Sequence, residues 1–209
     1  MRKFGAIIKH HPMKSIVVYC GSNPGKNPLY AQTAYALGQH LALNSINVVY
    51  GGGNLGLMGR VADGALEEGG TVTGIIPNFL AKLEVSHKTL TELEFVDTMH
   101  ERKARMVSLS DGVIVLPGGY GTMDELFEIL AWSQLRLFHG PVGVLNTNGF
   151  YDHLIAHTDM MVEEGFLRPE NRELMLVAET VEELLEKMSE FFQNKAENKE
   201  LDQTLYVEK

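Results

Sequence analysis

The residues whose types and spacing point to chemistry are two runs of glycine and a pair of cations. The longer motif reads Pro117-Gly118-Gly119-Tyr120-Gly121-Thr122-Met123-Asp124-Glu125. A short apolar run, Val113 to Leu116, leads into it as a buried strand would, and Leu126 to Phe138 follows with the character of a helix. Glycines between a strand and a helix let a ligand come close to main-chain N–H groups. Those groups, with the positive end of the helix, make a site for an anion, most often a phosphate. A structural reading competes for the same residues. Thr122 and Glu125 have the T-x-x-E spacing of a capping box, which ties off free N–H groups at a helix start.

The second glycine run, Gly51-Gly52-Gly53-Asn54-Leu55-Gly56, follows an apolar strand from Ile46 to Tyr50 and precedes a helix from Leu57 to Glu68. It matches the letters of the dinucleotide fingerprint G-x-G-x-x-G. That fingerprint also expects an acidic residue at the end of the next strand, Thr71 to Ile76, where Pro77 and Asn78 stand instead. This speaks against an NAD-dependent enzyme. A third turn, Gly21-Ser22-Asn23-Pro24-Gly25, ends the first strand, Lys14 to Cys20. Lys26 invites a P-loop reading, but the glycine spacing fails it and no Ser or Thr follows the lysine. Ser22 still offers a hydroxyl to a ligand. The cations are Arg102 and Lys103, which share a helix face with Met99 and Met106 between Thr98 and Ser110. Such a face either turns toward an anion or is simply solvated.

The elements that must position these groups alternate. Helical periodicity over Leu29 to Leu43, a strand over Thr91 to Val96 and a strand over Pro141 to Asn146 fill the gaps. A helix over Tyr151 to Glu164, a strand over Glu173 to Val177 and a helix over Thr180 to Phe192 follow, the last opened by another T-x-x-E box. The alternation predicts an α/β fold: a doubly wound, mostly parallel sheet flanked by helices, Rossmann-like. Ligands in such sheets bind beyond the carboxyl ends of the strands, where the turns after Cys20, Tyr50, Ile76 and Leu116 all fall. We expect a flexible extension over 1–12 (with Met13 a second candidate start), one nucleotide-binding domain over 13–192 and a mobile polar tail over 193–209. The helix after the long motif is apolar nearly all round, through Leu126, Phe127, Ile129, Leu130, Trp132 and Leu135. We expect a second subunit to cover its outer face, making a homodimer; the alternative is a helix wholly enclosed within one chain.

Composition narrows the classes. The 209 residues are 44% hydrophobic and 22% charged, as in an ordinary globular domain. A formal net charge of −9 argues against non-specific nucleic-acid binding, yet a nest of N–H groups can hold an anion on an acidic chain. The single cysteine, Cys20, has no partner for an internal disulfide, which suits the cytoplasm. At a strand end it reads as a catalytic thiol or, in preference, a small buried residue. No apolar run reaches the roughly 20 residues of a membrane span. His153 and His157 are spaced i, i+4 on a helix but lack the H-E-x-x-H pattern, and no metal is expected.

Taken together, the motifs resemble those of the LOG ("Lonely Guy") family, cytokinin riboside 5′-monophosphate phosphoribohydrolases. PGGYGTMDE is similar to that family's PGGxGTxxE signature. The likeness continues through Cys20-Gly21-Ser22, through Gly51 to Gly59 and through Met99-His100-Glu101-Arg102-Lys103, in matching order across roughly residues 14 to 190. The resemblance implies hydrolysis of the N-glycosidic bond of an N6-modified adenosine 5′-monophosphate, without a cofactor. It implies Arg102 and Glu125 as the catalytic pair. It also implies that Gly118, Gly119, Tyr120, Gly121 and Thr122 grip the 5′-phosphate, with Gly51, Gly52, Gly53, Met99 and Lys103 completing the nucleotide site. Relatives have been labelled lysine decarboxylases, but nothing here marks out a lysine for pyridoxal phosphate. The rival from another class is a nucleotide-binding sensor or carrier, which need not keep the Arg102 and Glu125 pair.

Overall fold

Seven short strands, each hydrogen-bonded to its neighbours in the parallel sense, lie in one sheet in the order β4-β3-β2-β1-β5-β6-β7. The computed structural model describes residues 13–81 and 86–207; the expected extension over 1–12 lies outside the described residues. In chain order the elements are β1 (Ser15–Tyr19), α1 (Pro28–Leu43), β2 (Asn47–Tyr50), α2 (Gly56–Glu67), β3 (Val72–Pro77) and α3 (Asn78–Ala81). Then come β4 (Glu92–Val96), α4 (Met99–Ser108), β5 (Gly112–Val115), α5 (Tyr120–Gln134), β6 (Val142–Leu145) and a single 3-10 turn (Thr147–Gly149). The chain closes with α6 (Asp152–Glu163), α7 (Pro169–Arg172), β7 (Met175–Ala178) and α8 (Val181–Val207).

Alternation along each strand sends side chains to two cores. Ile16, Val18, Val48 and Ile114 pack against α1, α2 and α8 through Leu37, Leu41, Val61 and Leu184. Val17, Val49, Val113 and Val115 face the other side, against Met106 of α4, Leu126 and Ile129 of α5, and Tyr151. Both faces being covered, the central strands are apolar throughout, the pattern that marks a parallel sheet. The strand order reverses between β1 and β5, and the crevice of a doubly wound sheet opens at that switch point. The turns that leave β1 and β5 therefore become neighbours: the Gly21 N–H donates to Pro117 O at 3.0 Å.

Two helices differ in extent from the sequence reading. Helix α5 begins at Tyr120, six residues before Leu126, and ends at Gln134, four before Phe138; Arg136 follows in the left-handed region, φ 60°. Gly119 is its N-cap and contributes no side-chain cap, so Thr122 and Glu125 already lie inside the helix and do not form a capping box. Helix α8 continues to Val207, past the expected end at Phe192.

Candidate active site

Beyond the carboxyl ends of β1, β2 and β5 lies a cavity of about 430 Å³. Its walls bring together most of the residues singled out in the sequence: Ser22, Gly51, Met99, Arg102, the turn Gly118 to Thr122, and Glu125. The glycines explain why turns so far apart in the chain meet. Gly56 has φ +63°, and a side chain there would overlap the backbone of Ser22. The neighbouring Leu57 N–H donates to Gly21 O at 3.0 Å. Gly21 thus links the turn after β2 to the turn after β5, and the three glycine segments form one continuous rim.

Helix α4 supplies the cation. Thr98 caps it, its hydroxyl accepting from the Glu101 N–H at 3.1 Å, while Glu101 Oε2 accepts from the Asp97 N–H at 2.9 Å. The helix so fixed buries Arg102, which is 7% exposed, and the reading of this face as solvated fails. Arg102 Nε donates to Ile75 O at 3.1 Å and Nη2 donates to Gly51 O at 3.0 Å. Nη1 lies 3.9 Å from Met99 Sδ. Carbonyls at the ends of β3 and β2 therefore hold the guanidinium at the cavity wall, with N–H groups left for a ligand.

Helix α5 supplies the carboxylate. Its first turn is entered from glycine, so backbone N–H groups there lack side-chain partners, and no atom lies within 4 Å of where a β-carbon on Gly119 or Gly121 would sit. An uncapped helix start with open backbone suits an anion. One turn on, burial raises the Glu125 carboxyl to a pKa of about 7; Arg102 and Lys103 oppose the rise, and Asp124 and Glu128 add to it. A carboxyl poised there suits proton transfer near neutrality. Cys20 also lines the cavity, but burial pushes its thiol far up, so it stays protonated and is no nucleophile.

Three of the residues expected to contact the ligand, Gly52, Gly53 and Lys103, are not among those lining this cavity. Gly52, at φ +76°, packs on Ile76 and Leu93 and accepts from the His87 N–H at 3.1 Å. Gly53 pairs with Ser86 in an antiparallel bridge. The Lys103 ammonium is engaged by Asp124 and Glu128. Conversely, the walls include Asn23 and Met58, which lie within the quoted motifs without having been singled out, and Tyr30 and Phe150, which no motif indicated. Tyr30 and Phe150 meet edge to face at 5.8 Å. Phe150 carried no periodic signal; only its place in the loop after β6, at the ligand-binding edge of the sheet, could have found it.

The chain is similar to proteins of known family. Residues 58–188 match the family model described as possible lysine decarboxylase. The chain is 44% identical over 186 residues to a rice protein, probable cytokinin riboside 5′-monophosphate phosphoribohydrolase LOGL2, covering 89% of this chain and 76% of the relative. It is 43% identical over 187 residues to Arabidopsis thaliana cytokinin riboside 5′-monophosphate phosphoribohydrolase LOG3, covering 90% and 87%. The fold is similar to that of the molybdenum cofactor binding protein from Rippkaea orientalis, with a TM-score of 0.64 at 22% identity over 84% of this chain and 95% of that one.

Proposed function

The chain belongs to the family described as possible lysine decarboxylase and, within it, to the LOG cytokinin riboside 5′-monophosphate phosphoribohydrolases; from that premise we propose how its cavity cleaves a nucleotide. The substrate is an adenosine 5′-monophosphate, N6-modified in the cytokinin-activating reaction, and the products are the free base and ribose 5-phosphate. The observation that carries the proposal is that Arg102 and Glu125 line one cavity whose rim includes the open glycine turn Gly118 to Thr122.

The 5′-phosphate rests on the N–H groups at the start of α5, and binding of that remote group fixes the ribose for attack. The C1′–N9 bond breaks with its electron pair going to the base, and positive charge grows on the sugar. The ionised Glu125 stabilises that charge, takes a proton from the water that bonds to C1′ and releases it to solvent, while the departing base takes a proton from solvent, so one water is added overall. Arg102 stays protonated throughout; its role is to orient the nucleotide and steady the leaving base. Decarboxylation of lysine through pyridoxal phosphate is disfavoured, because among the described residues that line the cavity none is a lysine.

The outer face of α5 leaves Phe127 exposed, and the turn after it leaves Leu135 and Leu137 65% and 70% exposed; a homodimer covers them in our reading. No helix among the described residues is long and apolar enough to cross a membrane, and with its lone cysteine we assign the enzyme to the cytoplasm.

The test is to incubate the protein with AMP and with N6-isopentenyl-AMP and to separate free base by chromatography. Both are expected to be cleaved or the prenylated nucleotide preferred, and Glu125→Ala and Arg102→Ala are expected to abolish release. Measurable binding without release from either nucleotide would overturn the hydrolase in favour of a carrier. Sedimentation velocity of wild type and Leu137→Asp tests the dimer, which fails if both run as monomers.

A further inference from the structure

Each member of the catalytic pair has an ionic neighbour in the chain: Lys103 follows Arg102 on α4, and Asp124 precedes Glu125 on α5. Lys103 Nζ lies 3.0 Å from Asp124 Oδ2 and 3.0 Å from Glu128 Oε1, with the lysine side chain 8% exposed. Asp124 and Glu128 are spaced i, i+4, so a single ammonium grips two successive turns of α5, and Glu125 sits on the first of them. Burial alone would lower the pKa of this lysine, but the hydrogen bonds to Glu128 and Asp124 outweigh it and keep the cation charged.

Resting on the phosphoribohydrolase reading, we infer that Lys103 is a positioning residue for Glu125: it ties α4 to α5 and offsets part of the charge of the two carboxylates that flank the catalytic one. The charged groups acting on Glu125 are Arg102 and Lys103 from α4 and Asp124 and Glu128 from α5, two cations against two anions, while β1 faces it with the neutral Tyr19 and Cys20. Without Lys103 the balance becomes negative, and a like charge beside a carboxyl opposes its ionisation. The lysine thus serves the reaction without touching the nucleotide, in contrast to a phosphate ligand.

The experiment is a pH–kcat profile, with a carbon-13 titration of the glutamate carboxyls assigned by Glu125→Gln. Wild type is expected to rise to half its plateau near the Glu125 pKa of about 7. In Lys103→Met that midpoint moves up by about one pH unit, and Lys103→Arg holds it near wild type. Asp124→Asn with Glu128→Gln moves it down, and adding Lys103→Met to that pair brings it back toward wild type. The double variant keeps the test alive if Lys103→Met does not fold. A fall in kcat with the midpoint unmoved in both directions overturns the inference and leaves a structural tie. A rise in KM with the midpoint unmoved overturns it in favour of a nucleotide contact. Because the carboxyl titration needs no turnover, a chain that cleaves nothing but still shifts Glu125 would sink the hydrolase reading while sparing the electrostatic one.

Discussion

Arg102 lies across Gly51 so closely that its guanidinium fills the space a side chain at Gly51 would need, and Nη2 donates to Gly51 O at 3.0 Å. The glycine is therefore a mould for the arginine. Gly51→Ala is expected to push the guanidinium off the carbonyls of Ile75 and Gly51 and to lower kcat/KM by about 100-fold. Circular dichroism should show a retained fold, with about 1–3 kcal/mol of stability lost to the disturbed buried bonds. Wild-type turnover in that variant would mean that the position of Arg102 does not matter to the reaction.

Glu125 ties activity and stability to pH in opposite senses. Its carboxyl ordinarily titrates at 4.5 and is raised to about 7 in the folded chain, chiefly by burial. Between those values the folded state holds a proton that the unfolded state has released, so this group's contribution makes stability fall as pH rises through the window and stay level above it. Activity that needs the carboxylate rises over the upper part of the same window. Glu125→Gln, which cannot ionise, should therefore be more stable than wild type by about 2 kcal/mol at about pH 8, allowing for partial contact with the cavity. The difference should vanish below about pH 4.5, while activity is lost by ~10²-fold or more. Urea melts of the two proteins at several pH values give the comparison; equal stability across the range would contradict a buried, perturbed carboxyl.

Adjacent glycines in one turn should respond differently. A side chain on Gly118 would overlap Thr122 and approach the Gly21 N atom at 3.0 Å, whereas one on Gly119 meets nothing within 4 Å. Gly118→Ala is expected to cost stability by about 1–3 kcal/mol, as over-packing does. Gly119→Ala should melt as wild type does yet raise KM several-fold, because its methyl group stands where the phosphate needs open backbone. Melting curves alongside KM for AMP separate the two; an unchanged KM in Gly119→Ala would move the phosphate away from this turn.

The sheet and its binding edge were legible because periodicity and glycine punctuation report backbone chemistry, and both cores of a parallel sheet leave apolar runs. What spacing left open was which groups a polar residue meets. Three T-x-x-E pairs illustrate this. Thr98 and Glu101 bond at the start of α4, and Glu183 N–H donates to the Thr180 hydroxyl at 3.2 Å at the start of α8. Thr122 and Glu125 share that spacing, but the glycines ahead let α5 begin at Tyr120, so Glu125 is carried round to the cavity. Lys103 is buried on α4 beside Arg102, but its ammonium is held by carboxylates of α5, a pairing across 21 and 25 residues that no local pattern encodes. Tyr30 and Phe150 were hidden for a related reason: aromatic walls are assembled from a helix and a loop with no motif of their own.

One support lies under the Gly118 to Thr122 turn itself. The buried Tyr151 hydroxyl donates to Leu116 O at 2.7 Å, the carbonyl from which the chain enters Pro117 and Gly118. The Tyr151 N–H donates to Asn146 Oδ1 at 2.7 Å, and its ring meets Phe150 edge to face at 4.9 Å, so one residue braces both the turn and an aromatic wall. Tyr151→Phe keeps the ring and removes only the donor, leaving a buried carbonyl short of a partner, at a cost of about 1–2 kcal/mol. For a chain of this size that is about 3–6 °C in Tm. Because the loosened carbonyl sits at the mouth of the turn, KM for the nucleotide should rise several-fold while kcat holds, Arg102 being anchored by the carbonyls of Ile75 and Gly51. A variant that loses stability with KM unchanged would show that Tyr151 braces the core alone, and one that loses kcat with KM unchanged would show that the turn it supports acts on the chemical step.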